Sequence, residues 1–235
     1  YTADFFRSTP KASFFEAIEV INGVRPQLNC NVCNTGDIHI NGQEGANTMI
    51  LIDGLPLVSG LSSVYGLSGI PQSLIKQIEV IKGPASTLYG SEAIGGVINL
   101  ITKSPENAYN FSVEAFTSSW GELNVDLGTK YNLKNSQGLI GINYFNYSNP
   151  IDNNGDGFTD LTLQHRVSIF NKINTKRNTL AFRYFYEDRW GGQMNWNSSF
   201  RGGNEVYGES IYTSRFEVFG KYDISKDIFL QYSLN

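Results

Sequence analysis

The sequence predicts an α+β domain over residues 1–105, followed over 106–235 by antiparallel strands of a transmembrane β-barrel. Three observations carry this. The first half mixes short helical and strand signals around Gly and Pro, whereas the second alternates apolar and polar residues with period two. Charged residues are only 17% of the chain and aromatics reach 13%, a balance that suits strands with one face toward lipid. No apolar run approaches the ~20 residues a membrane helix needs, so a spanning reading must be a barrel.

In the first half, residues 13–20 read as a short helix ahead of Gly23-Val24-Arg25-Pro26. Strands follow at 37–40 and 48–52, and 71–75 is a second helix candidate. Between Pro56 and Pro71 lies a Ser- and Gly-rich stretch that still carries Val64, Tyr65 and Leu67. A loop this apolar suits recognition through Tyr65 and suits simple packing equally. Residues 77–103, QIEVIKGPASTLYGSEAIGGVINLITK, open as a β-branched strand and break at Lys82-Gly83-Pro84. They pass through a small-residue segment with Gly90 and close as a second strand at 97–102.

Downstream, Leu123, Val125, Leu127 and Tyr131 alternate with Asn124, Asp126, Gly128 and Lys130. The same period recurs at 161–169, 180–187, 215–222 and 228–234, with weaker candidates at 111–117 and 139–147. That makes about seven strands of roughly ten residues, charged on one face and apolar on the other. A soluble sandwich would show the same alternation. Loop lengths favour the barrel: short links at 133–138, 174–178 and 223–227 alternate with links at 118–122, 149–160 and 189–209. An incomplete barrel leaves unpaired edge groups in lipid, so the chain is expected to be the N-terminal part of a longer protein.

The 77–103 segment, with IHING at 38–42 and LIDGLPL at 51–57 in the same order, resembles the plug domain of TonB-dependent outer-membrane receptors. The resemblance assigns Asn41, Gly42, Asp53, Gly54, Lys82, Gly83, Pro84 and Gly90 to plug architecture. Asn41 stands where such receptors commonly carry Arg, which removes a plug–barrel ion pair at that position. By this resemblance residues 1–105 are a plug and 106–235 about a third of a 22-stranded barrel, with the longer links facing outward. It implies capture of a scarce nutrient (an iron–siderophore, haem, cobalamin or glycan) and its import to the periplasm, powered through TonB. The implied partners are outer-membrane lipid, the TonB complex and a small-molecule ligand, with a surface lipoprotein as a further candidate. Lumen-facing Arg166, Arg183, Arg215 and Glu217 would meet the plug. The alternative is a non-transporting binding or adhesion module on a β-sandwich, or a soluble periplasmic domain fused to a sheet.

Cys30 and Cys33 form a CNVC pair, read as a local disulfide, with a redox pair or a metal contact as the other readings. Their flanks, 27–29 and 34–36, read as loop. The second outer link matches the D-x-N-x-D-G core of calcium loops. There Asp152, Asn154, Asp156, the Phe158 carbonyl and Asp160 are the oxygen donors, while Leu163 replaces the twelfth-position Glu. An Asn/Asp/Gly turn is the competing reading. In the third outer link, Arg189, Trp190, Trp196 and Arg201 are candidate ligand contacts, since aromatics beside Arg make binding anchors. Net charge is −4 without a basic cluster, which disfavours nucleic acid. No catalytic signature survives: Gly96 stands where a phosphate loop needs Lys, and no G-x-S-x-G occurs. Lipid exposure predicts that Leu163→Arg or Val167→Arg harms membrane assembly and that Ser168→Arg is mild.

Overall fold

The computed structural model describes residues 1–8, 11, 14–30, 35–56 and 70–234. Two helical pieces, α1 (Ala3–Arg7) and α2 (Phe14–Ala17), precede a hairpin of β1 (Val24–Cys30) and β2 (Thr35–Ile40). A four-stranded sheet follows, ordered β4-β3-β6-β5, from β3 (Thr48–Ile52), β4 (Leu55–Pro56), β5 (Ile75–Lys82) and β6 (Gly96–Thr102). β3 runs parallel to β6, and the other pairings are antiparallel. The expected helix at 13–20 is α2 continued by a 3-10 turn, Ile18–Val20, and that at 71–75 shrinks to the 3-10 turn Gln72–Leu74.

Two Asx-Gly pairs set the turns. Asn41 and Asp53 both adopt φ 51°, each followed by a left-handed Gly, Gly42 at 82° and Gly54 at 78°. Consecutive positive φ values define a type I′ turn, which Asn-Gly and Asp-Gly tolerate best. Ile52 therefore pairs with Leu55 across Asp53-Gly54.

The loop expected around the cysteines is a correction. Residues 27–29 lie in β1 and 35–36 in β2, with Cys30 opposite Thr35. Pro26 lacks the N–H a central strand needs, yet a two-stranded hairpin consists of edges, where a missing N–H is tolerated. Val24, Ile38 and Ile40 of this hairpin are buried, so packing decided what local propensity did not.

From residue 111 onward seven strands make one antiparallel sheet in chain order. They are β7 (Phe111–Thr117), β8 (Leu123–Leu133), β9 (Ser136–Tyr147), β10 (Leu163–Asn174), β11 (Asn178–Gly192), β12 (Gly208–Asp223) and β13 (Phe229–Leu234). Short connections at 134–135, 175–177 and 224–228 alternate with 118–122, 148–162 and 193–207. β11 and β12, at 15 and 16 residues, are longer than the pattern implied, so Arg189 and Trp190 belong to a strand rather than a link.

Exposure along these strands is inverted relative to a soluble sheet. On β10 the even positions Gln164, Arg166, Ser168, Phe170 and Lys172 are buried, while Val167 and Ile169 are half-exposed. Phe111, Val113 and Phe216, of the opposite parity, are 67%, 54% and 56% exposed. Among the described residues the seven strands form no second sheet against that apolar face, so the sandwich alternative has nothing to pack. The polar face lies against the α+β domain. Leu139, Phe170, Ala181 and Phe219 of the wall join Ile38, Ile50, Ile78, Ile98 and Leu100 in one apolar cluster.

Candidate functional site

The contact between the α+β domain and the wall is where the chemistry concentrates, and it has an apolar part and an ionic part. In the apolar part, Leu74 ends the 3-10 turn and is buried. Its side chain sits where a Cβ on Gly141 would be and borders Gly128, where a Cβ would first meet Ser112 Oγ; the two glycines are directly paired across β8 and β9. The missing side chains make a dimple that the leucine fills. Lys103 secures the same turn: its N–H donates to the Leu74 carbonyl at 2.7 Å and its Nζ to the Ser73 carbonyl at 2.6 Å.

In the ionic part, Lys172 reaches from β10 to the β3–β4 turn. Its Nζ lies 2.8 Å from Asp53 Oδ2 and donates to Thr102 Oγ1 at 2.8 Å. Asp53 also accepts from the Thr102 N–H at 2.8 Å and from Thr102 Oγ1 at 2.7 Å. Three separate segments thus meet on one carboxylate. Gly54 N–H donates to Asn99 Oδ1 at 2.9 Å, holding the turn from its other side.

The wall carries its own buried polar network. Asn143 Nδ2 donates to Asn124 Oδ1 at 2.9 Å, and Asn124 reaches Asp126 at 3.3 Å. Glu187 takes Arg189 at 2.5 Å, Arg166 at 4.0 Å, and a hydrogen bond from Gln164. Glu217 takes Arg183 at 2.6 Å and Arg215 at 2.7 Å. The Glu16 carboxylate of α2 acts electrostatically on Arg166. Glu187 and Glu217 are tolerable at this depth because each has arginine partners of opposite sign.

The residues expected to contact ligand do not converge. Arg189 points inward to Glu187, whereas Trp190 has the other parity and packs 6.5 Å from Trp196, which is buried. Arg201 pairs with Asp188 at 2.6 Å and donates to Ser210 at 3.0 Å. Neighbouring Tyr207 donates to Glu209 at 3.0 Å, and this bond, with the carboxylate's charge, holds its phenol above the usual range. Tyr65 and Cys33 lie outside the described residues.

In the 152–160 link the oxygens serve the loop's own amides. Asp152 accepts from Gly155, Asp156 and Gly157 at 2.7, 3.2 and 2.9 Å. Asn154 accepts from Asp156 N–H at 3.0 Å, Asp156 from Phe158 N–H at 2.8 Å, and Asp160 from Asn153 N–H at 2.7 Å. Among the described residues no three His, Cys, Asp or Glu are grouped to hold a metal ion.

Among the described residues Asn41 forms no hydrogen bond to the wall. Its N–H bonds the Gly23 carbonyl at 2.8 Å, and nearby Lys82 donates to the Asn22 carbonyl. Gly83 N–H donates to Gly95 O at 3.0 Å, and Gly90 takes φ 89° at the end of the short helix Ser86–Tyr89. These motif residues shape turns within the first domain.

Residues 1–97 match the family model described as the TonB-dependent receptor plug domain. The first 97 residues are thus similar to the plug domain of TonB-dependent receptors. Among curated relatives, the probable TonB-dependent siderophore receptor PirA of Acinetobacter baumannii is 43% identical over 95 residues, 36% of this chain and 13% of that protein. The ferric enterobactin receptor PirA of Pseudomonas aeruginosa is 36% identical over 131 residues, 50% of this chain and 18% of that protein. The matched segments therefore cover less than a fifth of these relatives. The crystal structure of the siderophore receptor PirA from Acinetobacter baumannii superposes with a TM-score of 0.65 at 21% identity. It covers 96% of this chain and 37% of that one, so the fold of plug and wall together is shared. These relatives are receptors, not enzymes, in line with the missing catalytic signatures.

Lys172 was the residue that sequence reasoning missed. Its parity matches that of Arg166, which marks it as inward-facing, but nothing local says which plug carboxylate it meets.

Proposed function

We propose that the chain is the plug and the first seven wall strands of an outer-membrane receptor. In this reading the receptor captures an iron chelate outside and imports it under TonB power. The observation that carries the reading is the inverted wall, with charged residues buried toward the plug and apolar residues exposed. Lipid suits the exposed face, and a stoppered lumen suits the buried one. The relatives' names, siderophore and ferric enterobactin receptors, favour an iron chelate over haem or cobalamin.

The test is uptake by cells that lack their own siderophore receptors and express the full-length protein. Ferric enterobactin, another catecholate chelate, haem and cobalamin would be supplied in parallel. Iron from a catecholate should enter only when TonB is present. Uptake of haem or cobalamin alone would move the ligand class, and uptake without TonB would end the reading.

A further inference from the structure

We propose that Lys172 is a latch residue: its bridge to Asp53 and Thr102 couples the plug's central sheet to the barrel wall and must open when the plug yields. The import reading supplies the purpose of such a latch, but the contact itself can be measured without transport.

The turn presents its carboxylate in a fixed direction. Asp53 sits in a type I′ turn at φ 51°, and the Thr102 N–H holds Oδ1 at 2.8 Å, so that Oδ2 takes the Thr102 hydroxyl and Lys172 together. Lys172 brings a compact charge on a flexible stem, so it can form or leave the bridge without moving its strand. The bridge is not sealed: the side chains are 9% and 19% exposed, so water can replace the partners when they separate. The Leu74 dimple offers no such exchange, because withdrawing Leu74 leaves an apolar void.

Lys172 also stands where a pull would arrive. The Tyr1 main-chain nitrogen donates to the Ile78 carbonyl at 3.0 Å, and Ile78 N–H returns a bond to the Tyr1 carbonyl at 2.8 Å. Force applied at Tyr1 therefore enters β5 at Ile78. The first residue of β5, Ile75, pairs with Thr102 in β6, and Thr102 shares Asp53 with Lys172. The route from Tyr1 to the wall runs along β5, crosses its pairing with β6 and ends on one ammonium.

Amide exchange on the purified full-length receptor tests this. Lys172→Met should speed exchange at the Thr102 amide about tenfold and leave the β1–β2 hairpin unchanged. Asp53→Asn, which keeps the left-handed turn, should do the same, and the double variant should be no faster than either single. Thr102→Val, the milder change in case Lys172→Met does not assemble, should raise exchange across 51–56 by about threefold. In a bilayer, pulled from the N-terminal end, the Lys172→Met receptor should release its plug at a lower first rupture force, restored by Lys172→Arg. Unchanged protection, additive effects, protection lost equally across the plug, or an unchanged rupture force would each overturn the latch.

Discussion

Val167 and Ser168 are adjacent on β10 and live in opposite surroundings. Ser168 is fully buried at 0% exposure, in line with Arg166 and Lys172, whereas Val167 is half-exposed beside Ile169. In a water-soluble sheet the valine would be covered and the serine wet. A folded domain covers the serine's face, and the proposed function puts lipid against the valine's. One strand thereby meets both solvents of the molecule, and its period of two is what keeps them apart.

Breaking the inner face should have the largest effect. Arg183→Met strands Glu217, which keeps only Arg215, and should cost about 3 kcal/mol, read from denaturant unfolding of the full-length barrel in detergent. The neighbouring pair sharpens the contrast. Val167→Arg should lower membrane assembly by about 2–4 kcal/mol through the lipid face. Ser168→Arg was expected to be mild, but a fully buried position has no room for it. It should let the barrel assemble while leaving the plug open to protease. Equal assembly defects at both positions would erase the distinction between faces.

Smaller effects test how the plug is seated. Gly141→Val fills the Leu74 dimple and should destabilise plug docking by about 1–3 kcal/mol, seen as faster proteolysis of the plug in an intact barrel. Smallest is Asp152→Ala in the outer link, which should raise amide exchange at 155–157 about tenfold, with or without calcium. Calcium-dependent protection of the wild-type link would put a cation at that site.

The strands were legible because alternation is a local signal. Leu123 to Tyr131 announce β8, and Asp53-Gly54 and Asn41-Gly42 announce their turns through the residues that tolerate positive φ. The β1–β2 hairpin was not legible, since Pro26 and the CNVC stretch look like loop until the buried Val24, Ile38 and Ile40 are counted. Arg189, Trp190, Trp196 and Arg201 were grouped as candidate ligand contacts because they are close in sequence. The strand runs on to Gly192 and sets Arg189 and Trp190 on opposite faces.

By itself the sequence determined which residues share a face and where the chain turns, because side-chain parity and backbone sterics act over a few residues. Only the tertiary structure decided that Asp53 meets Lys172 and that Leu74 rests on Gly128 and Gly141. Such contacts join segments 119 residues apart in one case, and no local preference records which distant partner will arrive.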